Sequence, residues 1–506
     1  MKGKIEALIT GRTKRNGETL MSMKNIAEKI SKPVYPVRIL QFGEGNFLRA
    51  FVDWMVDRMN EEVDFRTGVT VIQPIADGLA QKINAQNGLY TLFLSGLRDG
   101  KPYSEHRVIR CLDRCLDPYP NFKEYLSTAE NRDLRFVVSN TTEAGIAFNG
   151  QDQMSDTPPS SFPAKLTLWL YRRYGFFHGD ASAGLIFLPC ELIENNGDNL
   201  KECILKYSDL WKLEKNFAEW VNKSCAFCNT LVDRIVPGYP KERASELTAK
   251  LGYEDSLMTE GELFHLWVIQ GPETLREELP FHKCGLNVLF VKDVAPYRTR
   301  KVRILNGAHT SLVPAAYLLG VETVRESVEH PLLGAFLRQT LFEEIIPTLD
   351  LPKEELTAFA DEVVERFKNP FINHYLMSIA LNSISKFQVR VLPSLLEYMK
   401  RYGRAPERLS FSFAALIAFY KGKRGNDPIL LSDSSENLAF FKALWASHDG
   451  RMESLQTMVG KILGKTEIWK EDLNEKKGLS EAVGEYLYQI EMRGIETALN
   501  RLCRMS

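Results

Sequence analysis

VRILQFGEGNFLR, residues 37–49, is the stretch that decides the fold. VRILQF is a mostly apolar run of strand length, of the kind buried on both faces in a parallel sheet. GEG follows as a turn. NFLRAFVDWMVDRMNEE then carries apolar residues at helical spacing. Gly43 permits the tight turn, and Gly45 has no side chain to keep a pyrophosphate from the backbone. A helix beginning near Asn46 offers free N–H groups and the positive end of its dipole. Strand, GxG and helix in this order open a dinucleotide-binding unit. The third glycine of the usual fingerprint is absent, so an ordinary strand–helix turn stays open as the alternative.

Outward from this stretch the pattern alternates. GVTVIQP (68–74), LYTLFLSG (89–96), HRVIRCL (106–112), LRFVVSN (134–140) and GLIFLPCELI read as strands. NFKEYLSTAEN and AKLTLWLYRRYG read as helices between them. Such alternation predicts a doubly wound, Rossmann-like α/β domain over residues 34–286. LNVLFVKDV (286–294) is a last strand-like run. Long helical segments then dominate, and residues 287–506 are expected to form a mostly α-helical domain. Residues 1–33 are basic and weakly periodic, and are expected to be an N-terminal extension, either a mobile arm or a short surface helix.

The chain has 506 residues, with 64 Lys plus Arg against 65 Asp plus Glu. A formal net charge of −1 argues against a general nucleic-acid binder. The basic stretch 11–17 is short enough to be a solvated tail. The longest apolar runs, such as FSFAALIAFY at 411–420, fall well short of the roughly 20 residues a membrane span needs. The N-terminus lacks the apolar centre of a signal peptide, and eight cysteines are too few for a disulfide scaffold. These features predict a reduced, cytoplasmic protein. Cys225 and Cys228 form a lone CxxC with no second pair, and the eight histidines are scattered, so no metal site is expected. The second strand ends in Gln73-Pro74 with no acid, and Asp77 follows three residues later. The loop therefore leaves NAD and NADP open.

A second cluster opens the helical half: Lys301, Asn306 and His309, in KVRILNGAH. On one α-helix Asn306 and His309 share a face, with Lys301 about 12 Å along the axis from His309. Polar groups on an apolar helix need partners or a cavity. Gly307 costs about 1 kcal/mol relative to Ala in a helix interior, which implies close approach of something. The trio suits hydride transfer at a carbonyl: a lysine whose ammonium is destabilised acts as acid or base, and Asn and His bond the oxygen. Satisfied core polar residues and a surface lysine are the alternative.

With both motifs in view, the chain resembles the polyol-specific long-chain dehydrogenases, the mannitol dehydrogenase family. The resemblance rests on GxGxxxR from Gly43 to Arg49 and on K-x4-N-x2-H at Lys301, Asn306 and His309. It extends through NGLYT, SNTTEAGI, FPAKLT, PCELIENNGD, TLVDRIVPGYP, EEIIPTLDLP and SKFQVRVLP. It implies an NAD-dependent oxidoreductase that needs no metal, with Lys301 as general acid and base beside Asn306 and His309. For the cofactor it implies Gly43, Gly45, Asn46, Phe47, Arg49, Thr142, Glu143 and Asp233. An Asp233–Arg234 structural ion pair is an equal alternative. Lys386 matches a lysine that reaches the substrate. Two departures point away from a simple hexitol. Glu191-Leu192 stands where polyol-oxidising members have an acid–Asn pair, leaving Asn195 or Asn196 to substitute. Ser378 stands where an Arg is common. A sugar acid needs a cation for its carboxylate, and Arg390, His374 and Lys386 are the choices. The expected partner is thus a small sugar acid, with no nucleic acid and no membrane. Monomer and dimer both stay open. A nucleotide sensor on the same fold is the non-enzymatic alternative, and turnover separates the two.

Overall fold

The computed structural model describes residues 23–142 and 144–504. Residues 1–22, including the basic stretch 11–17, and Glu143 lie outside the described residues. From Asn25 a capped turn, Ile26–Lys29, sits on the body of the protein, with the Ile26 N–H donating to the Glu254 carbonyl at 3.0 Å.

Among the described residues of the first half there are twelve strands: β1 (Val37–Phe42), β2 (Gly68–Ile72), β3 (Tyr90–Arg98), β4 (Lys101–Ile109), β5 (Leu112–Leu116), β6 (Phe136–Ser139), β7 (Ile186–Pro189), β8 (Ala226–Phe227), β9 (Asn229–Asp233), β10 (Thr259–Glu262), β11 (Leu266–Gln270) and β12 (Val288–Val291). Six of them form one parallel sheet in the order β5-β2-β1-β6-β7-β8. Counted along the chain within that sheet, the order is 3-2-1-4-5-6, that of a dinucleotide-binding fold. Alternate residues of the central strands feed two apolar layers. Ile39, Val69, Val71, Phe136, Val138, Ile186 and Leu188 face one, and Leu40, Phe42, Ile72, Val137 and Phe187 face the other. A sheet covered on both faces explains why these strands read as continuous apolar runs.

The segments expected at 89–96 and 106–112 do not join that sheet. β3 and β4 pair antiparallel as a hairpin and form a separate sheet with β10. The two-residue turn at Asp99-Gly100, both at positive φ, makes the hairpin, and its alternation could not show which sheet it would join. A third small sheet, β12-β11-β9, lies between the two halves of the chain. β12, just beyond the expected boundary, pairs with β11.

From Ala295 onward helices prevail. The central one, Gly307–Leu319, packs against Glu407–Phe419, whose residues 408–419 are all buried. Around them lies a single large apolar core. Among the described residues no helix is long and apolar enough to cross a membrane.

Candidate active site

The strand order of the main sheet reverses between β1 and β6, and the crevice at such a point is where an open α/β sheet receives a ligand. Gly43 ends β1 at φ +116°, and a Cβ there would stand 2.7 Å from the Asn140 carbonyl oxygen. Glycine is therefore required by both conformation and space. Gly45 is exposed, with nothing within 4 Å of a built Cβ, so protein packing does not demand it and the space before its backbone is open. A cavity of about 460 Å³ adjoins, lined by Asn140, Thr142, Ala144, Glu191 and Leu192. Thr142 sits at its rim at φ +76°. The Glu191 carboxylate accepts from the Thr141 N–H (2.9 Å), the Thr141 hydroxyl (3.0 Å) and the Ser139 hydroxyl (3.0 Å). Burial pushes its pKa up against those bonds.

The helix after the loop is not continuous. A single turn, Asn46–Arg49, is followed by a break at Phe51 and then Val52–Glu62. Phe47 stacks on Phe51 with ring centroids 5.0 Å apart. Arg49 was expected at the cofactor, yet its guanidinium turns inward. It donates to the Glu44 carbonyl (3.2 Å), the Leu257 carbonyl (2.5 Å) and Asn46 Oδ1 (2.6 Å). It holds the loop in shape and has little left for a ligand. Asn46 in turn lies against the Gly238 turn, where a Cβ would stand 2.6 Å from Asn46 Nδ2. At the end of β2, Gln73 bonds the Ile75 and Ala76 carbonyls and the Ala80 N–H, while Asp77 is exposed.

Asn196, expected near the substrate, lies behind Glu191 at the edge of the cavity. It is fully buried. Its Nδ2 donates to the Pro189, Glu191 and Thr230 carbonyls, and its Oδ1 accepts from the Thr230 and Gly197 N–H groups. Every polar atom is engaged in tying β7 to β9. Asn195, in the left-handed region at φ 48°, begins the following helix.

Lys301 lies one strand further on. Its Nζ donates to the Val232 carbonyl at 2.8 Å and stands 3.6 Å from Asp233 Oδ1, at the end of β9. Residues Lys301–Asn306 form a π-helical turn between Ala295–Arg300 and Gly307–Leu319. The expected straight α-helix is thus interrupted. In a turn closed by i→i+5 bonds, residues five apart stand over one another, which is the Lys301–Asn306 spacing. The Asn306 side chain makes no hydrogen bond among the described residues. Gly307 owes its place to backbone: a Cβ would stand 3.2 Å from the Arg390 carbonyl oxygen.

Asp233 does not pair with Arg234. The Arg234 guanidinium points away, donating to the Ala50, Glu262, Leu263 and Phe264 carbonyls and lying over the Trp54 ring. The partner of Asp233, besides Lys301, is Arg366, which sequence reasoning missed. Arg366 bonds both Asp233 oxygens (3.1 and 3.2 Å) and both Glu262 oxygens (3.1 and 2.8 Å). Burial works against the Asp233 charge, but Lys301 and Arg366 prevail and hold its pKa below the usual value. One signal could have found Arg366: it recurs with Phe359 and Val363 on the apolar face of Lys353–Phe367, where a cation needs a buried partner.

His309 follows Asn306 at three residues. Its ring stacks on Phe367 (centroids 4.1 Å) and meets His374 edge-on (5.0 Å). Its Nε2 is buried with no hydrogen-bond partner. Burial, then His374, Arg366, Arg390 and Lys386, drive its pKa well below the ordinary value, so the ring is neutral. Of the four expected substrate residues, His374 meets the His309 ring, and the charges of Lys386 and Arg390 reach it. Among the described residues no three or more His, Cys, Asp or Glu group as a metal site, and Cys225 and Cys228 are buried free thiols.

Two family models match the chain: the mannitol dehydrogenase Rossmann domain over residues 37–283 and the mannitol dehydrogenase C-terminal domain over 293–491. The altronate oxidoreductase of Bacillus subtilis (strain 168) is 48% identical over 480 residues, covering 95% of this chain and 98% of that protein. That of Enterobacter sp. (strain 638) is 46% identical over 471 residues, covering 93% and 98%. Among solved structures, D-sorbitol dehydrogenase in substrate-free form gives a TM-score of 0.78 at 23% identity, over 95% of this chain and 100% of that one. The mannitol 2-dehydrogenase of Pseudomonas fluorescens, in a ternary complex with NAD and D-mannitol, gives 0.66 at 22% identity, over 93% and 95%. At these identities the structural likeness is one of fold.

Proposed function

The chain belongs to the mannitol dehydrogenase family of oxidoreductases, and from that premise we propose that it interconverts D-altronate and D-tagaturonate with NAD(H), with Lys301 as general acid and base. Near-full-length likeness to the altronate oxidoreductases supports the substrate. Residues 34–286 serve as the cofactor-binding domain and 287–506 as the helical substrate domain. The nucleotide would lie along Gly43, Gly45, Asn46 and Phe47 and the cavity beside Thr142. Asn140 and Glu191 shape that cavity, and Arg49 holds the loop from behind. When bound there, NAD supplies the hydride acceptor.

The observation that carries the mechanism is the setting of Lys301. Its Nζ is fixed by the Val232 carbonyl and the charged Asp233 carboxylate, on the same π turn as Asn306. In the oxidation direction Lys301 takes the hydroxyl proton as the hydride leaves the same carbon, and the C–O bond becomes a carbonyl. In reduction the ammonium returns the proton. Asn306 donates to the developing oxyanion, and neutral His309 does so through Nε2 in that tautomer. Eight free cysteines accord with a cytoplasmic location.

The test follows nicotinamide absorbance with purified protein and NADH, with tagaturonate, fructuronate and fructose in parallel and NADPH alongside. Oxidation of NADH with tagaturonate is expected. Equal rates with fructuronate would remove the substrate assignment, and nucleotide binding without any turnover would favour a sensor. Lys301→Ala is expected to lower kcat by 10²–10⁴, and a loss under about tenfold would remove the acid–base role.

A further inference from the structure

Helix Ser383–Arg390 brings Lys386 and Arg390, four residues apart, onto one face. The helix abuts the end of the π turn, since the Arg390 carbonyl is the atom that excludes a side chain at Gly307. The charges of both residues reach His309 and depress its pKa. The other cations nearby are engaged. Arg366 is saturated by Asp233 and Glu262, Lys301 is held by Val232 and Asp233, and Arg303 donates to the Val389 carbonyl at 2.7 Å. Lys386 spends one of its three protons on the Ile379 carbonyl at 2.7 Å. His374 and His309 are neutral, their pKa values lowered by burial. Asp433, the acid whose charge reaches Lys386, is taken up by the Ile384 and Ser434 N–H groups, the Tyr420 hydroxyl and the Asn437 amide.

Arg390 differs from all of these. Half-buried, it makes no hydrogen bond or ion pair among the described residues, and burial lowers its pKa. A half-buried guanidinium without an anion is costly, and its planar fork matches a carboxylate. The buried Nε2 of His309, which the Arg390 charge reaches, is a second polar group without a partner.

We propose that Arg390, supported by Lys386 one helical turn away, anchors the carboxylate of the substrate and makes the site selective for sugar acids over neutral sugars. This rests on the reaction taking place beside Lys301 and His309.

The test compares wild type with Arg390→Leu, Arg390→Lys and Lys386→Met. With NADH, kcat/KM is measured for tagaturonate and for D-tagatose, which has CH₂OH in place of the carboxylate. Arg390→Leu is expected to lose about 10- to 100-fold on tagaturonate, mostly in KM, and less than twofold on tagatose. Arg390→Lys should recover part of the loss. Equal losses on both substrates, or a loss carried by Lys386→Met alone, would overturn the assignment. Calorimetric binding of D-altronate and of neutral D-altritol to the NAD-loaded protein is read separately. If turnover of tagaturonate is absent but altronate binds better than altritol, and only while Arg390 is present, the anchor stands and the reaction assignment falls. If wild type binds the two alike, the anchor falls.

Discussion

Asp53 is wholly buried between Gln41 and Tyr90, and its Oδ1 has no partner. Burial pushes its pKa from an ordinary 3.8 up to about 7. A carboxyl raised by folding binds its proton more tightly in the folded than in the unfolded chain. Its contribution to stability is full below the unfolded value and is lost as pH rises through about 7. The window is therefore pH 4–7, and the size is on the order of 4 kcal/mol. Asp53→Asn, which keeps the shape without the charge, is expected to melt higher than wild type at pH 8 and level with it only below about pH 4. A melting difference independent of pH would show that Asp53 is not the titrating group. The same scale shows what the sequence could and could not convey about the site. Lys301, Asn306 and His309 were legible because their spacing and polarity are anomalous on an apolar helix. Arg49 and Asn196 were legible as residue types, but the direction of a side chain depends on carbonyls brought in from Leu257, Pro189 and Thr230.

At the scale of elements, the π turn at Lys301–Asn306 is what aligns the lysine with the asparagine. Inserting an alanine after Val302 would add one residue between Lys301 and Asn306. Absorbed into the helix, it would turn Lys301 by about 100° relative to Asn306 and His309, the angle of one residue at 3.6 per turn. Far-UV circular dichroism should stay as in wild type while kcat falls at least 100-fold, since small misplacements of reacting groups cost that much. Retention of more than a tenth of the activity would mean that the π turn is incidental. Apolar periodicity does not reveal such a turn, because one extra residue barely disturbs it. The same limit hid the partner of the β3–β4 hairpin. The six strands of the parallel sheet were easier, since burial on both faces leaves uninterrupted apolar runs such as residues 134–140. The glycines after β1 fixed where the crevice opens.

Across the whole molecule, Arg366 joins the two halves of the chain. It lies on Lys353–Phe367 of the helical part, and it bonds Asp233 on β9 and Glu262 on β10, all three side chains being buried. The guanidinium also covers the Phe264 ring at 4.0 Å. Removing one member of a buried network leaves the others without compensation, at a cost of about 3–5 kcal/mol. Arg366→Met keeps much of the volume, so the loss would be electrostatic. Its urea midpoint is expected to fall accordingly, and the fall should be about equal at 50 mM and 1 M salt, because a buried network is little screened. Arg114→Met, which removes an exposed pair with Glu124, provides the contrast and should change stability by under 1 kcal/mol. Because Asp233 also faces Lys301, the weakened variant should lose turnover under conditions where it is still fully folded. An Arg366→Met protein within 1 kcal/mol of wild type and fully active would mean that the two halves are held by their apolar contacts alone.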